Sequence, residues 1–419
     1  EPIIMKLGNP DERGILVPKA DEKVTKATGT VETLLPKNLI RKKAAKLPEM
    51  SQMQVLRHYM RLSQETIGTD FNIDIGLTMK YSPKIHEQLV RSEKLSEVHP
   101  YQDESTIQGI LEIMYRDEQY IKAISGMDKV SLQPGGGTQA IFANVETIRA
   151  YHESRGEGEQ RNEIITTILS HPGNPGAAAT LGYKVITLYP DENGVPDIDA
   201  LKAAVSEHTA ALMITNPEDT GIYNEKIKEF VDIVHAAGGL CVYDQANLNG
   251  LFGITRARDA GFDMCHYNLH KSFSSPHGCQ GPAAGAQCVC EKLAKFVAAP
   301  TVEFDGEKYY LDYNRPDSIG KLRKFYGVPA VLVRTYAYIR TLGPDGMKQI
   351  AEMSILNNNY MLKKLLEIKG ISLPYAKGKY RLEQARLSWK ELTDETGVTT
   401  DDICRRIVDY GFQDYFTSH

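Results

Sequence analysis

The chain has 419 residues, 42% hydrophobic and 25% charged, with 49 basic against 54 acidic side chains and a net charge of -5. This ordinary globular balance excludes disordered, collagen-like and coiled-coil classes. It gives no electrostatic case for a nucleic-acid or anionic-membrane partner, and no apolar run approaches the roughly 20 residues of a membrane helix. Six cysteines are too few for a disulfide scaffold in so long a chain. Cys241, Cys265, Cys288 and Cys290 lie in apolar, strand-like stretches as reduced thiols, so the expected compartment is the cytoplasm. The start at Glu1 rather than Met leaves a removed leader, and hence the mitochondrial matrix, open.

Residues 1–100 read as an N-terminal arm with helices, among them a helical stretch around Gln52–Ser63, followed by a polar loop through Gly76-Leu77-Thr78-Met79-Lys80-Tyr81. A helix over Thr106–Gly126 then leads to Val130-Ser131-Leu132, and Gly135-Gly136-Gly137 opens another helix. Strands are expected at Ile164–Leu169, Lys184–Leu188, Ala210–Thr215, Gly239–Asp244, Phe262–Tyr267 and Ala284–Cys290. Helical patterns at Asn174–Leu181, Asp197–Glu207 and Tyr223–Ala237 lie between them. Strands separated by helices imply βαβ units and a mostly parallel sheet. Ile227, Phe230, Val231 and Val234 have the spacing of a helix lying on such a sheet. After Pro300 two helices (Val331–Leu342, Met347–Lys369) precede a small α+β segment. The expected division is an arm at 1–100, a large α/β domain at 101–300 and a smaller C-terminal α+β domain at 301–419, incomplete where it stops.

Chemistry concentrates at strand ends. Asn268-Leu-His270-Lys271-Ser272 follows an apolar strand and carries one lysine in an uncharged stretch, where desolvation prepares an amine for Schiff-base chemistry. Asp244 ends another strand, at the edge where open α/β sheets bind ligands. Its plainer reading is a helix cap, and that of Lys271 an exposed loop lysine. In this order, an aspartate facing a pyridinium nitrogen and a lysine holding an aldehyde are expected together. Gly135-Gly136-Gly137-Thr138 could close backbone N–H groups on a phosphate, but lacks the P-loop and dinucleotide patterns. His171 stands past another strand, either stacked on a flat ring or facing solvent. The Pro276-His277-Gly278 turn offers a further phosphate contact. Zinc at His266/His270 or Cys288/Cys290 is disfavoured, because the two histidines, four apart, straddle a strand end rather than share a helix face, and the Cys-x-Cys pair lacks the usual zinc spacing. Core packing is the expectation there.

Together these pieces resemble the pyridoxal-phosphate-dependent glycine decarboxylase, the P-protein of the glycine cleavage system, and in particular the second subunit of its split form. The motifs are Arg57-His-Tyr-x-Arg-Leu-Ser-Gln, Thr78-Met-Lys-Tyr, Ser131-Leu-Gln-Pro, Ile148-Arg-Ala-Tyr-His, Asp244-x-Ala-Asn-Leu-Asn, Asn268-Leu-His-Lys and Arg334-Thr-Tyr-Ala-Tyr-Ile-Arg. The resemblance implies fold type I, the aspartate aminotransferase-like fold. It implies pyridoxal 5'-phosphate held by Lys271 as Schiff-base lysine, Asp244 at the ring nitrogen, His171 on the ring, and Gly136, Gly137, Thr138 and His277 at the phosphate, with Asn247 and His270 close by. It implies decarboxylation of glycine with aminomethyl transfer to lipoyl-bearing H-protein, in company with a first P subunit in a homo- or hetero-oligomer. Alternatives are a paralogue acting on another amino acid or acceptor, and a non-catalytic partner subunit. Departures from the family pattern fall at Gly76-Leu77 (usually Ser-Cys), Pro134–Ile141 (usually Pro-Ala-Ala-Gly-Ala-His-Gly-Glu), Gln245 (usually Gly) and Gln413-Asp414-Tyr415 (usually His-Pro-Pro). Arg334, Arg381 and Arg386 are candidates for holding a substrate carboxylate.

Overall fold

The computed structural model describes residues 2–9, 12, 14, 18–43, 45–65, 83, 85–275 and 283–410. The chain divides into a smaller unit, residues 1–71 with 407–413, and a larger one holding the rest. In the smaller unit the helix Gln52–Glu65 opens on a reciprocal cap. Gln54 N donates to Ser51 Oγ at 3.2 Å and Ser51 N donates to Gln54 Oε1 at 2.6 Å, the Ser-x-x-Gln pairing that satisfies two orphan donors at once. The helix Glu22–Thr28 starts at Asp21, whose carboxylate accepts from Lys23 N at 2.7 Å.

The larger unit is built on a sheet of β1 (Lys129–Ser131), β2 (Glu163–Thr167), β3 (Lys184–Leu188), β4 (Thr209–Thr215), β5 (Leu240–Asp244), β6 (Met264–Asn268) and β7 (Gly285–Val289). Among the described residues its order is β1-β7-β6-β5-β4-β2-β3. The pairs from β3 through β2, β4 and β5 to β6 are all parallel. Strand β7 is antiparallel to both β6 and β1, so β1 runs in the common direction. Strands β2, β5 and β6 are buried along their whole length, as strands covered by helices on both faces must be, whereas edge strand β3 is partly exposed and starts at exposed Lys184. The β3 bounds match the sequence expectation, and the other expected strands shift by one or two residues at their ends.

The helix Ile227–Ala236 buries Ile227, Phe230, Val231 and Val234, the stripe its spacing predicts. The two helices expected after residue 331 are one rod, Pro329–Leu365. It is kinked where Gly343 leaves helical geometry (φ 62°, ψ -178°) and Pro344 lacks an N–H. A hairpin of β8 (Thr301–Phe304) and β9 (Tyr309–Asp312) precedes the rod. The sequence reading has no strand there, because Glu303, Asp305, Glu307 and Lys308 break the apolar signal. Beyond residue 371 the described β-structure is one bridge, Ser372–Ser388, alongside the helices Lys390–Thr396 and Thr400–Asp409. No described helix is long and apolar enough to cross a membrane.

Because five sheet neighbours and β1 run one way, their C-terminal ends share one edge. Ser131, Thr167, Thr215, Asp244 and Asn268 all finish there, and the loops that follow carry the predicted site residues.

Candidate active site

Asp244 is the last residue of β5 and is buried. Its Oδ2 accepts from Asn174 Nδ2 at 2.9 Å and its Oδ1 from Ala246 N at 3.0 Å, with His266 Nε2 3.2 Å away. Burial alone would raise its pKa. The charge and contact of His266, the Ala246 N–H and the more distant His171 overcome that and hold the carboxyl well below the usual carboxylate range. Asp244 is therefore a permanent anion on a strand end, positioned by partners on β6 and on the helix Gly173–Thr180.

Lys271 lies in the turn after β6, half-buried, its N–H bonded to Asn268 O at 2.9 Å. Desolvation lowers the pKa of its ammonium, against the opposing pull of Asp244 and Asp219. The next residue fixes the turn: Ser272 Oγ accepts from Leu248 N at 2.7 Å and donates to Asn249 Oδ1 at 2.7 Å. Ser275 Oγ meets Thr335 Oγ1 of the long helix at 3.0 Å. Asn247 belongs to the same fastening, its Nδ2 donating to Glu383 Oε1 at 3.1 Å while its Oδ1 accepts from Asn249 N at 2.9 Å. His270, beside Lys271, is buried.

His171 is exposed at the same edge, after β2. Its Nδ1 accepts from Gly173 N at 2.9 Å, which puts the proton of the neutral ring on Nε2. Surrounding protein and the charge of Lys271 keep its pKa below the ordinary histidine value, against the pull of Asp244. The glycine loop joins β1 to the helix Gly137–Ser154, whose first-turn N–H groups have no intrahelical acceptor. Gly136 has φ 158° and ψ 180°, and a Cβ on Gly137 would stand 2.3 Å from Asn268 Oδ1. A side chain there would push into the residue that leads to Lys271. Thr138 is exposed on the first turn. The structure thus brings Lys271, Asp244, His171, Gly136, Gly137, Thr138, Asn247 and His270 to one sheet edge; His277 lies outside the described residues, as do Gly76-Leu77 and Gln413–Tyr415.

Several contributors carry no local sequence signal. Asn174 and His266 hold Asp244, and Ser272 holds the lysine turn. Of the three arginines singled out, Arg334 is paired with Glu87 at 2.7 Å, and buried Arg381 donates to the carbonyls of Tyr375, Ala376 and Lys379. Arg386 instead pairs at 3.0 Å with Asp219, whose charge reaches both Lys271 and His171. On the opposite edge, at the starts of β5 and β6, His235, Cys241 and Asp263 form a metal-like group. Lys292 Nζ, 2.8 Å from Asp263, already supplies the cation there.

An aminotransferase class-V model matches residues 135–381 and a glycine dehydrogenase C-terminal domain model matches residues 350–418. The probable glycine dehydrogenase (decarboxylating) subunit 2 of Pyrococcus abyssi is 45% identical over 98% of this chain and 81% of its own length. The protein of the same name from Thermococcus kodakarensis is 44% identical over 98% of this chain and 80% of its length. The chain belongs to the glycine dehydrogenase (decarboxylating) subunit 2 family. Among solved structures, a glycine decarboxylase P-protein in inhibitor-bound form has a TM-score of 0.73 at 18% identity, over 95% of this chain and 91% of that one. A cysteine desulfurase from Thermococcus onnurineus has 0.60 at 14%, over 82% and 84%. At such identities these likenesses show the fold, which is the type I fold expected.

Within the subunit 2 family frame, two of the departures are now placed. Gln245 is buried, its Oε1 accepting from Tyr267 OH at 3.3 Å while its Nε2 has no hydrogen-bond partner. In the glycine loop, Gln139 Oε1 accepts from Gly135 N at 2.7 Å, and Ile141 is buried beside Gly173. Pyridoxal phosphate suits this donor set. A buried anion suits a protonated ring nitrogen, a desolvated amine suits an aldehyde, and a glycine loop at a helix start suits a phosphate. Asn174 Oδ1 and Asn268 Oδ1 are buried without a hydrogen-bond partner, as polar groups awaiting a ligand would be.

Proposed function

We propose that this chain is the pyridoxal-phosphate-binding subunit of a decarboxylating glycine dehydrogenase, releasing the glycine carboxylate as carbon dioxide and passing the aminomethyl group to a lipoyl carrier protein. The observation that carries this is Asp244 and Lys271 meeting at one sheet edge, in a chain whose relatives bear that name. A first P subunit as partner, H-protein as acceptor and the cytoplasm as compartment belong to the same reading, as does the division into an arm at 1–100, a sheet domain at 101–300 and a C-terminal domain at 301–419.

When bound, pyridoxal phosphate supplies the electron sink for breaking the bond to the carboxylate. The protein's share is positional and electrostatic. Asp244 holds a proton on the cofactor's ring nitrogen, because its carboxylate stays ionised when buried. Lys271, with its depressed pKa, presents an amine that is neutral more often than a surface lysine and moves protons at its Nζ. His171, neutral with its proton on Nε2, would face the cofactor ring without adding a charge that opposes a protonated pyridine. Gly136, Gly137 and Thr138 bind phosphate through backbone N–H groups. Arg386, free to exchange Asp219 for a substrate anion, holds the glycine carboxylate.

A second reading, an enzyme of the same chemistry acting on another amino acid, is favoured by apolar Ile141 packed beside Gly173, two residues from His171. Apolar wall area selects among amino acids by only about 1–3 kcal/mol per methylene. The test of the shared core is borohydride reduction of the yellow protein followed by peptide mapping. The label is expected on the Lys271 peptide and absent in Lys271→Ala; label on another lysine sinks the assignment.

A further inference from the structure

We propose that Arg323, a residue of the loop between β9 and the long helix, is the cationic half of the phosphate site, closing over the Gly135–Gly137 loop to bind the phosphate monoester of the cofactor.

The loop is held in place from two sides. Ile319 N donates to Phe296 O at 2.9 Å and Ala299 N donates to Gly320 O at 3.0 Å. At its other end Gly327, at φ +121°, packs so closely that a Cβ would stand 3.0 Å from Leu132 O. Leu132 is the residue after β1, three before Gly135. Pinned between these contacts, Arg323 lays its guanidinium against the glycine loop: a Cβ on Gly135 would be 2.3 Å from Nη1 and 3.2 Å from Cζ. This arginine forms no ion pair with any described residue, and its Nε is buried without a hydrogen-bond partner. An unneutralised guanidinium in such a position is costly unless an anion joins it.

The neighbouring groups complete an oxyanion site. The helix Gly137–Ser154 begins directly after the loop, so its first-turn N–H groups face the same space with the positive end of an 18-residue helix behind them. Asn268, only 8% exposed, sets its amide against Gly137 with Oδ1 unpartnered. A guanidinium fork beside backbone donors is the geometry that takes two oxygens of a phosphate. Gly135 is glycine because the guanidinium occupies the space a side chain would take.

This inference rests on the pyridoxal-phosphate reading, and its test separates the two. Dissociation constants for pyridoxal 5'-phosphate and for pyridoxal, which lacks the phosphate, are measured by absorbance on cofactor-stripped protein. Arg323→Gln is expected to weaken pyridoxal 5'-phosphate about 10- to 100-fold, the loss that follows removal of a charge-assisted pair, and to leave pyridoxal unchanged. Arg323→Lys should recover part of the loss. Gly135→Ala keeps the charge and imposes no left-handed strain, yet its methyl displaces Nη1; it should give the same selective loss in a protein whose fold is undisturbed. Unchanged phosphate-ester affinity in both Arg323→Gln and Gly135→Ala would overturn the inference. So would equal losses for both compounds, which would mark a structural role, or a weakened response to glycine alone, which would mark a carboxylate site. A wild-type protein that binds neither compound would overturn the cofactor reading and this inference together.

Discussion

Asp244 and Glu218 are both carboxyls buried at the C-terminal sheet edge, and their surroundings drive them apart. Asp244, with His266 and two donors, stays ionised. Glu218 has the Thr167 hydroxyl, which donates to its Oε1, while Oε2 has no hydrogen-bond partner; burial pushes its pKa up to about 7. For Asp244→Asn we expect retained cofactor but turnover down by roughly 100-fold, about 3 kcal/mol of electrostatic stabilisation lost. Near wild-type turnover would make Asp244 a cap. For Glu218 the folded pKa lies above the unfolded value, so its contribution is full below about pH 4.5 and is lost as pH rises through about 7. Glu218→Gln should therefore raise stability on the order of 2 kcal/mol at pH 8 and leave it nearly unchanged at pH 4.5, read by denaturant unfolding at both pH values. At this scale the sequence reveals Lys271 and Asp244, because each is a lone charge at the end of an apolar strand. Asn174, His266, Ser272 and Arg323 are illegible there. Each acts through a partner 22 to 188 positions away, and a single chain carries no sign of that pairing.

Among elements, the strands were readable where apolar runs were unbroken, as in β4 and β5, and the Ile227–Ala236 helix where its stripe was clean. The β8–β9 hairpin is not, since charged residues interrupt its apolar pattern and Glu303 is held by a tertiary partner, Lys129 of β1 at 2.7 Å. The sequence divides the rod around Gly343-Pro344, where the geometry does break, though the helix resumes beyond it. A more informative glycine is Gly221, in the turn after β4. It has φ +71°, a Cβ would lie 1.8 Å from Gln384 O, and its carbonyl accepts from Leu382 N at 2.8 Å. Gly221→Ala should cost about 2–4 kcal/mol. Gly182→Ala, at φ +84° but in open space, should cost nearer 1 kcal/mol. Equal losses in a thermal or denaturant series would show that the 221–384 contact contributes nothing.

For the whole molecule, nearly the full chain aligns with subunit 2 relatives and spans 81% of the length of the first of them. Its two units each have their own helices, and the site residues described all belong to the larger one. The activity proposed is that of an assembly, so it is best measured in one. The most direct measurement is exchange of labelled bicarbonate into the carboxyl group of glycine, by this chain mixed with a first P subunit and a lipoyl protein. Label is expected in glycine only when all three are present, and its entry should fall at least about 1000-fold in Lys271→Ala, where the amine that holds the cofactor is gone. Exchange that persists in Lys271→Ala, or no exchange with glycine while a larger amino acid shifts the cofactor absorbance, would contradict a glycine decarboxylase built on this sheet edge.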